Sequence, residues 1–296
     1  MAVLSKGSLF PTQLVTEMFN NVKGKSSLAV LSAQTPIPFN GQTEFIFTMD
    51  KEIDIVAENG AKSNGGATVT PVTMIPIKFE YGARISNEFM YASEEVQLQY
   101  LQSFANGFSK KLAKGLDIAA LHGVNPRTGK ASTVVGDNHF DKKIDQSVTY
   151  VAAQADENVD SAVALIEGFE NDATGMIMAP AFRSALAALK TTDGAKLYPE
   201  LAWGSKPGVI NGLPVDVNST VAANASKDKA FVGDFANAFK WGYSKEIPLE
   251  VIEYGNPDND EEAGDLKGHN QVYLRAEAFL GWGILDPNAF AKIADA

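Results

Sequence analysis

The chain has no cysteine in its 296 residues. That absence excludes disulfides, cysteine-ligated zinc, iron–sulfur clusters and a thiol nucleophile. Long apolar runs are missing as well. The most apolar stretches are short, as in Glu44-Phe-Ile-Phe-Thr-Met49, far below the ~18 residues of a membrane span. The N-terminal MAVLSKGSLF holds no apolar region of ~7–15 residues and no small-residue cleavage site, so neither a signal peptide nor a membrane partner is expected. Basic charge is also in deficit, for the net charge is −11. Residues 1–148 balance 14 Lys+Arg against 14 Asp+Glu, whereas residues 149–296 set 11 against 22. A reader of nucleic-acid sequence carries a clustered basic face, so base-specific recognition is not expected. Disorder is excluded in turn, because 45% of the residues are hydrophobic and only 21% charged.

Catalytic patterns fail one by one. The three histidines, His122, His139 and His269, stand too far apart to form a helical metal pair. No serine lies in a GxSxG elbow. The stretch from Gly123 to Lys130 has five residues between its glycines and Ala131 after its lysine. A phosphate-binding loop requires four, then Ser or Thr, so this segment reads as a polar turn. The stretch Asn256–Asp265 invites a calcium-loop reading, but counting from Asp258 puts Ala263 and His269 where that loop needs Gly and Glu. A solvated acidic hairpin loop is the expectation. Asn218-Ser-Thr220 and Asn224-Ala-Ser226 fit a glycosylation sequon, which has no meaning without a secretory route. No enzyme activity, catalytic residue, cofactor or metal site is expected.

What is present is an unusual order of elements. The first 40 or so residues read as an extended arm, with a turn or two of helix over Thr12–Met18 and alternate prolines at Pro36 and Pro38 that forbid helix. Two strand-like runs follow. Phe45, Phe47 and Met49 alternate with Glu44, Ile46 and Thr48, then Ile53 and Ile55 with Glu52 and Asp54, and Ile75, Ile77, Phe79 and Tyr81 alternate on the return. Between them the Gly/Asn-rich Glu58–Ala67 makes a loop. The predicted hairpin has arms of about 13 residues, roughly 43 Å at ~3.3 Å each. An isolated two-stranded hairpin is marginal in water, so this one needs an outside partner, and another subunit is the obvious one.

A long helix is expected over Glu94–Leu121, capped by Ser93 and Gly123, with a core stripe of Leu101, Phe104, Phe108, Leu112, Leu116 and Ala119. Residues 124–158 show no clear period. Helix is expected from Asp160 and from Pro180 through Lys190, and short strands at Gly175–Ala179 and Leu213–Asn218. The last third reads as β, at Ala230–Asp234, Pro248–Tyr254 and Asn270–Ile284.

This order resembles the major capsid proteins of tailed phages with the Hong Kong 97 fold. Ala57-Glu-Asn-Gly-Ala-Lys62 is similar to the tip of that family's E-loop, and Arg84-Ile-Ser86 to the strand entering its spine segment. Leu116–Gly123 resembles the end of the spine helix, Asn211-Gly-Leu-Pro-Val215 a strand of the axial domain, and Phe231-Val-Gly-Asp-Phe235 the turn back to the peripheral domain. Arg275 through Gly281-Trp-Gly-Ile-Leu-Asp-Pro-Asn-Ala-Phe290 is similar to the family's ending. Six such motifs fall in the family's order.

The resemblance implies an α+β fold with an arm at 1–43, an E-loop at 44–81, a peripheral domain with the spine at 82–158, an axial domain at 159–229 and a β-rich return at 230–296. It implies a self-assembling shell protein that forms pentamers and hexamers of an icosahedral head around double-stranded DNA. The place is the virion, with the host cytoplasm during assembly. Expected inter-subunit contacts are Phe45, Phe47, Glu58, Lys62, Ile75, Ile77 and Phe79. A separate scaffolding protein and a portal are expected partners, since no fused charged helical scaffold precedes the arm. Lys62 falls where some members carry a cross-linking lysine. The segment that supplies the assisting glutamate in those members reads Gln271-Val-Tyr-Leu274, so no covalent cross-link is expected. Two rival readings are an encapsulin-type cellular compartment and an unrelated soluble acid/base enzyme.

Overall fold

The computed structural model describes residues 22, 25–244 and 249–296. The helix expected at Thr12–Met18 lies outside them. Within them, the larger sheet follows from strands that are apolar on both sides, which forces a cover on each face. Its six strands run in the order β4 (Ser147–Thr149), β12 (Phe290–Ala294), β8 (Asp228–Gly233), β5 (Gly175–Met178), β7 (Leu213–Val217) and β6 (Val209–Ile210). Ile177, Phe231 and Phe290 point to one face, while Met176, Met178, Ala230, Val232, Ala291 and Ile293 point to the other. The first face meets the spine helix α2 (Glu94–His122). The second is covered by α4 (Ala155–Glu167) and α5 (Pro180–Ala188). This sheet takes strands from both sides of the boundaries expected at 158 and 229, and β8 straddles the second.

A second sheet runs β10 (Leu249–Ile252), β11 (Gln271–Ile284), β3 (Ile77–Ser86), with β9 (Phe239–Tyr243) also paired to β11. Along β9 the arm adds an extended segment, with Thr35 N–H donating to Trp241 O at 2.8 Å and Ile37 N–H to Tyr243 O at 3.2 Å. A Cβ at Gly242 would lie 1.6 Å from the Thr35 carbonyl oxygen, so only glycine permits that approach.

The hairpin departs from expectation. β1 (Gln42–Met49) pairs antiparallel with β2 (Ala67–Met74) over eight residues each, or roughly 26 Å. Residues 50–66 form an irregular loop, with Ile53 and Ile55 94% and 98% exposed. Among the described residues nothing offers them a strand partner. The return run also breaks. Pro76 has no N–H to give a ladder, and the chain leaves the hairpin there to pair as β3 with β11.

The spine helix matches its predicted limits to within a residue. Glu94 and Glu95 face the positive end of its dipole, and Gly123 closes it at φ 65°, donating to Ala119 O at 3.0 Å. Leu101, Phe108, Leu112, Leu116 and Ala119 are buried as expected. Phe104 is only half-buried, because at that level it meets Tyr81 at the rim of β3, ring centroids 6.3 Å apart, and Ala105 takes the inward place.

Residues 124–158 hold more structure than their pattern shows. A short helix α3 (Phe140–Lys143) delivers Phe140 into an aromatic cluster, 5.0 Å from the Phe290 ring and 5.7 Å from Phe231. β4 has three residues, too few to display a period, and pairs parallel with β12. Helix α4 begins at Ala155, five residues before the predicted start. β9 and β12 were also unforeseen.

One buried carboxylate joins these parts. Asp117, on the spine, accepts hydrogen bonds from Ser26 Oγ at 2.5 Å, Ser27 N–H at 3.0 Å and Leu28 N–H at 3.4 Å, all at the start of α1 (Ser27–Leu31). Asn218 Nδ2 and Thr220 Oγ1, just past β7, donate to it at 3.2 and 3.1 Å. Burial pushes its carboxyl up to about 6, against the downward pull of those donors.

Two outcomes follow for the isolated subunit. Phe108→Ala should cost about 3–5 kcal/mol as a large-to-small core change, and Phe104→Ala clearly less. Chemical denaturation measures both, and an unchanged midpoint for Phe108→Ala contradicts the packing. For Asp117, the folded carboxyl holds its proton more tightly than the unfolded one at 3.8. The stabilisation is therefore complete below about 3.8 and is lost as pH rises through about 6, by on the order of 3 kcal/mol. Asp117→Asn should flatten that fall in stability between these values. An unchanged slope in the variant rejects the assignment.

Candidate functional site

The hairpin has two unlike faces. In its register Phe45 opposes Pro71, Phe47 opposes Val69 and Met49 opposes Ala67, so these six residues share one face. Phe45, Phe47 and Met49 are 63%, 67% and 77% exposed. The opposite face carries Glu44, Ile46, Val72 and Met74 and leans on its own subunit. Glu44 pairs with Lys240 at 2.8 Å, and Met74 is fully buried over Gly283. The expectation that the hairpin has no internal partner is thus corrected at its base. Among the described residues, its outer face and loop find none inside the subunit.

The predicted contact residues divide accordingly. Phe45, Phe47 and Ile75 belong to this exposed region, and Glu58 and Lys62 lie in the exposed loop beyond it. Ile77 and Phe79 do not. They sit in β3, half-buried against the subunit's own core, with the Phe79 ring 6.5 Å from Trp282. The cause is the break at Pro76, invisible to alternation because the period continues in phase across it.

The acidic loop is organised around a guanidinium. Arg84 donates through Nε and Nη2 to Asp258 at 2.9 and 2.5 Å, and through Nη2 to Asn256 Oδ1 at 2.7 Å. It also reaches the carbonyls of Ala263 and Gly264 at 3.1 and 3.0 Å. The hydrogen bond from Arg84 holds the Asp258 carboxyl down at about 2. Arg84 thus occupies the centre of the segment that superficially resembled a calcium loop, and Asp260, Glu261 and Glu262 face outward. Val272 and Leu274, in the strand compared with cross-linking relatives, are buried in the core.

Comparison with known proteins agrees with this architecture. The sequence profile of the phage capsid family matches residues 6–295. A solved structure from Mycobacterium phage Ogopogo is 33% identical with a TM-score of 0.78, covering 92% of each chain. One from Gordonia phage Cozz is 25% identical at 0.75, covering 92% of this chain and 87% of that one. The capsid of a native GTA particle computed with C5 symmetry shares the fold at 16% identity and 0.64, covering 91% and 90%. No curated protein matches the chain in sequence. Neither the compartment-shell nor the enzyme reading is favoured by these matches. The chain belongs to the phage capsid family, as a structural, non-enzymatic major capsid protein with the Hong Kong 97-like fold of tailed phages.

Proposed function

We propose that copies of this chain join as pentamers and hexamers of an icosahedral shell around double-stranded DNA, with the outer face of each hairpin clasping a neighbouring subunit. The observation that carries this reading is the row of Phe45, Phe47 and Met49, which the subunit leaves in water. Self-assembly is what the family does; this row is where the chain offers apolar area for it. A scaffolding protein and a portal act during assembly in the host cytoplasm, and the finished chain resides in the virion. The net charge of −11 suits a container that must not grip its packaged polyanion through many phosphate contacts.

Glu58 and Lys62 make polar contacts across the same boundary. Lys62 rests against the acidic segment Asp258–Asp265 of a neighbour, at Asp260, Glu261 or Glu262, since Asp258 is engaged by Arg84. This is a surface ion pair worth at most ~1 kcal/mol. No covalent bond forms, because the segment compared with cross-linking relatives, Gln271–Leu274, offers apolar Val272 and Leu274 and no carboxylate base.

Phe45→Ser combined with Phe47→Ser should leave the isolated subunit's stability within about 0.5 kcal/mol of wild type, as expected of exposed positions, and abolish shells in electron micrographs. Normal shells from the double variant would sink the proposal. On denaturing gels, mature particles should run as a single band at the 31.7 kDa of one chain. Ladders of covalent pentamers and hexamers overturn the non-covalent reading of Lys62.

A further inference from the structure

At the C-terminal end of the spine, three residues far apart in sequence converge. His122 is the last residue of α2, Asp141 lies in α3, and Asp228 begins β8. The His122 side chain is 97% buried by its 3% exposure, and its Nδ1 lies 2.8 Å from Asp141 Oδ2 and 3.7 Å from Asp228 Oδ2. One ligand atom from each of the three falls within 4.8 Å of the others. The other ring nitrogen, Nε2, faces the Thr220 carbonyl oxygen at 3.0 Å.

The imidazole faces two carboxylates, so either a second ring proton or a bound cation supplies positive charge here. A carbonyl oxygen only accepts, so Nε2 must carry a hydrogen, and the neutral imidazole then presents Nδ1 as a lone pair. That lone pair points at two carboxylates that also only accept when ionised. Asp141 Oδ1 is buried and meets no donor. Among the described residues neither aspartate forms an ion pair with lysine or arginine. With Nδ1 unprotonated, the arrangement is three electron-pair donors within 4.8 Å of one another, with the histidine's far N–H held by a backbone carbonyl, as metal-ligating histidines are held.

We propose that His122 Nδ1, Asp141 and Asp228 form a divalent-cation site, suited to zinc, that fastens the end of the spine helix to the six-stranded sheet. The spacing suits tetrahedral zinc, whose ligand atoms at ~2.0–2.1 Å from the metal stand about 3.3 Å from one another. The two histidine–carboxylate distances, 2.8 and 3.7 Å, bracket that separation, and all three ligand atoms lie within 4.8 Å of one another. Ser226 Oγ donates to Asp228 Oδ2, leaving a second lone pair on that oxygen for the metal. The Asp141 side chain is 29% exposed, which opens one side for entry and for a water as fourth ligand. The expectation of no metal site arose because none of these residues is near another in sequence.

The test uses the full-length chain, stripped with EDTA and then equilibrated with zinc alone. The expected result is one bound zinc per chain, a zinc-dependent rise in melting temperature, and affinity weakened more than about tenfold in Asp141→Asn and in Asp228→Asn. His269→Ala, at an exposed histidine, should bind as wild type does. Zinc-edge absorption on the wild type decides without any variant, by showing one nitrogen among oxygen ligands at ~2.0–2.1 Å. Failure of the wild type to bind stoichiometric zinc, an oxygen-only shell, or full binding in both aspartate variants overturns the proposal. So does a melting temperature that responds to pH and not to zinc, for then a second ring proton supplies the charge.

Discussion

Asp117 is the point on which the other parts of the subunit converge. A carboxylate with no water around it is costly unless donors surround it, and here the acid and its donors come from three separate elements. Ser26, Ser27 and Leu28 bring the arm, Asn218 and Thr220 bring the end of β7, and the spine supplies the acid itself. The arm is thereby fixed at its α1 end, and the segment from Gln34 to Ile37 can run along β9 as an added strand. Satisfying the acid and positioning the arm are one event.

From that anchor the two sheets take opposite roles. The six-stranded sheet is covered on both faces and closes its own core, through the Phe140 cluster on one side and Phe182 and Leu186 on the other. The second sheet is only partly closed, and it launches the hairpin from its edge. Lys240 and Gly283 hold the inner face of the hairpin base, which fixes the direction in which Phe45, Phe47 and Met49 project. A shell subunit gains from such a division. The closed part buries its own apolar side chains, whereas the projecting part leaves Phe45, Phe47 and Met49 exposed.

Legibility in the sequence varied by element. The limits of the spine could be read almost to the residue from Gly123 and the three-and-four spacing, although packing moved Phe104 to the rim and Ser93 stands at the N-cap without a side-chain hydrogen bond. The central strands of the larger sheet could be placed from short apolar runs. β4, β9 and β12 could not, since three to five residues are too few to carry a period, and their pairing comes from strands far along the chain. The hairpin was overextended by prediction because alternation continues from Ile75 through Tyr81 across Pro76. Only the competing pairing of β3 with β11 shows where it stops. Of the candidate contacts, Phe45 and Phe47 were legible as an alternating apolar edge, whereas Ile77 and Phe79 belonged to the same pattern and went inward.

The sequence alone determined what kind of molecule this is. It showed a cysteine-free chain with an acidic second half, one very long amphipathic helix, an apolar hairpin without enough partners, and an order of motifs resembling phage capsid proteins. These are properties of composition and of short-range spacing, which act before the chain has folded. Tertiary structure decided which residues meet. It brought Asp117 to the arm, wrapped Asn256–Asp265 around Arg84, turned one hairpin face inward, and gathered His122, Asp141 and Asp228. Each of those contacts joins residues 19 to 180 positions apart or selects between two faces of equal period, and such choices are settled only by packing the whole core.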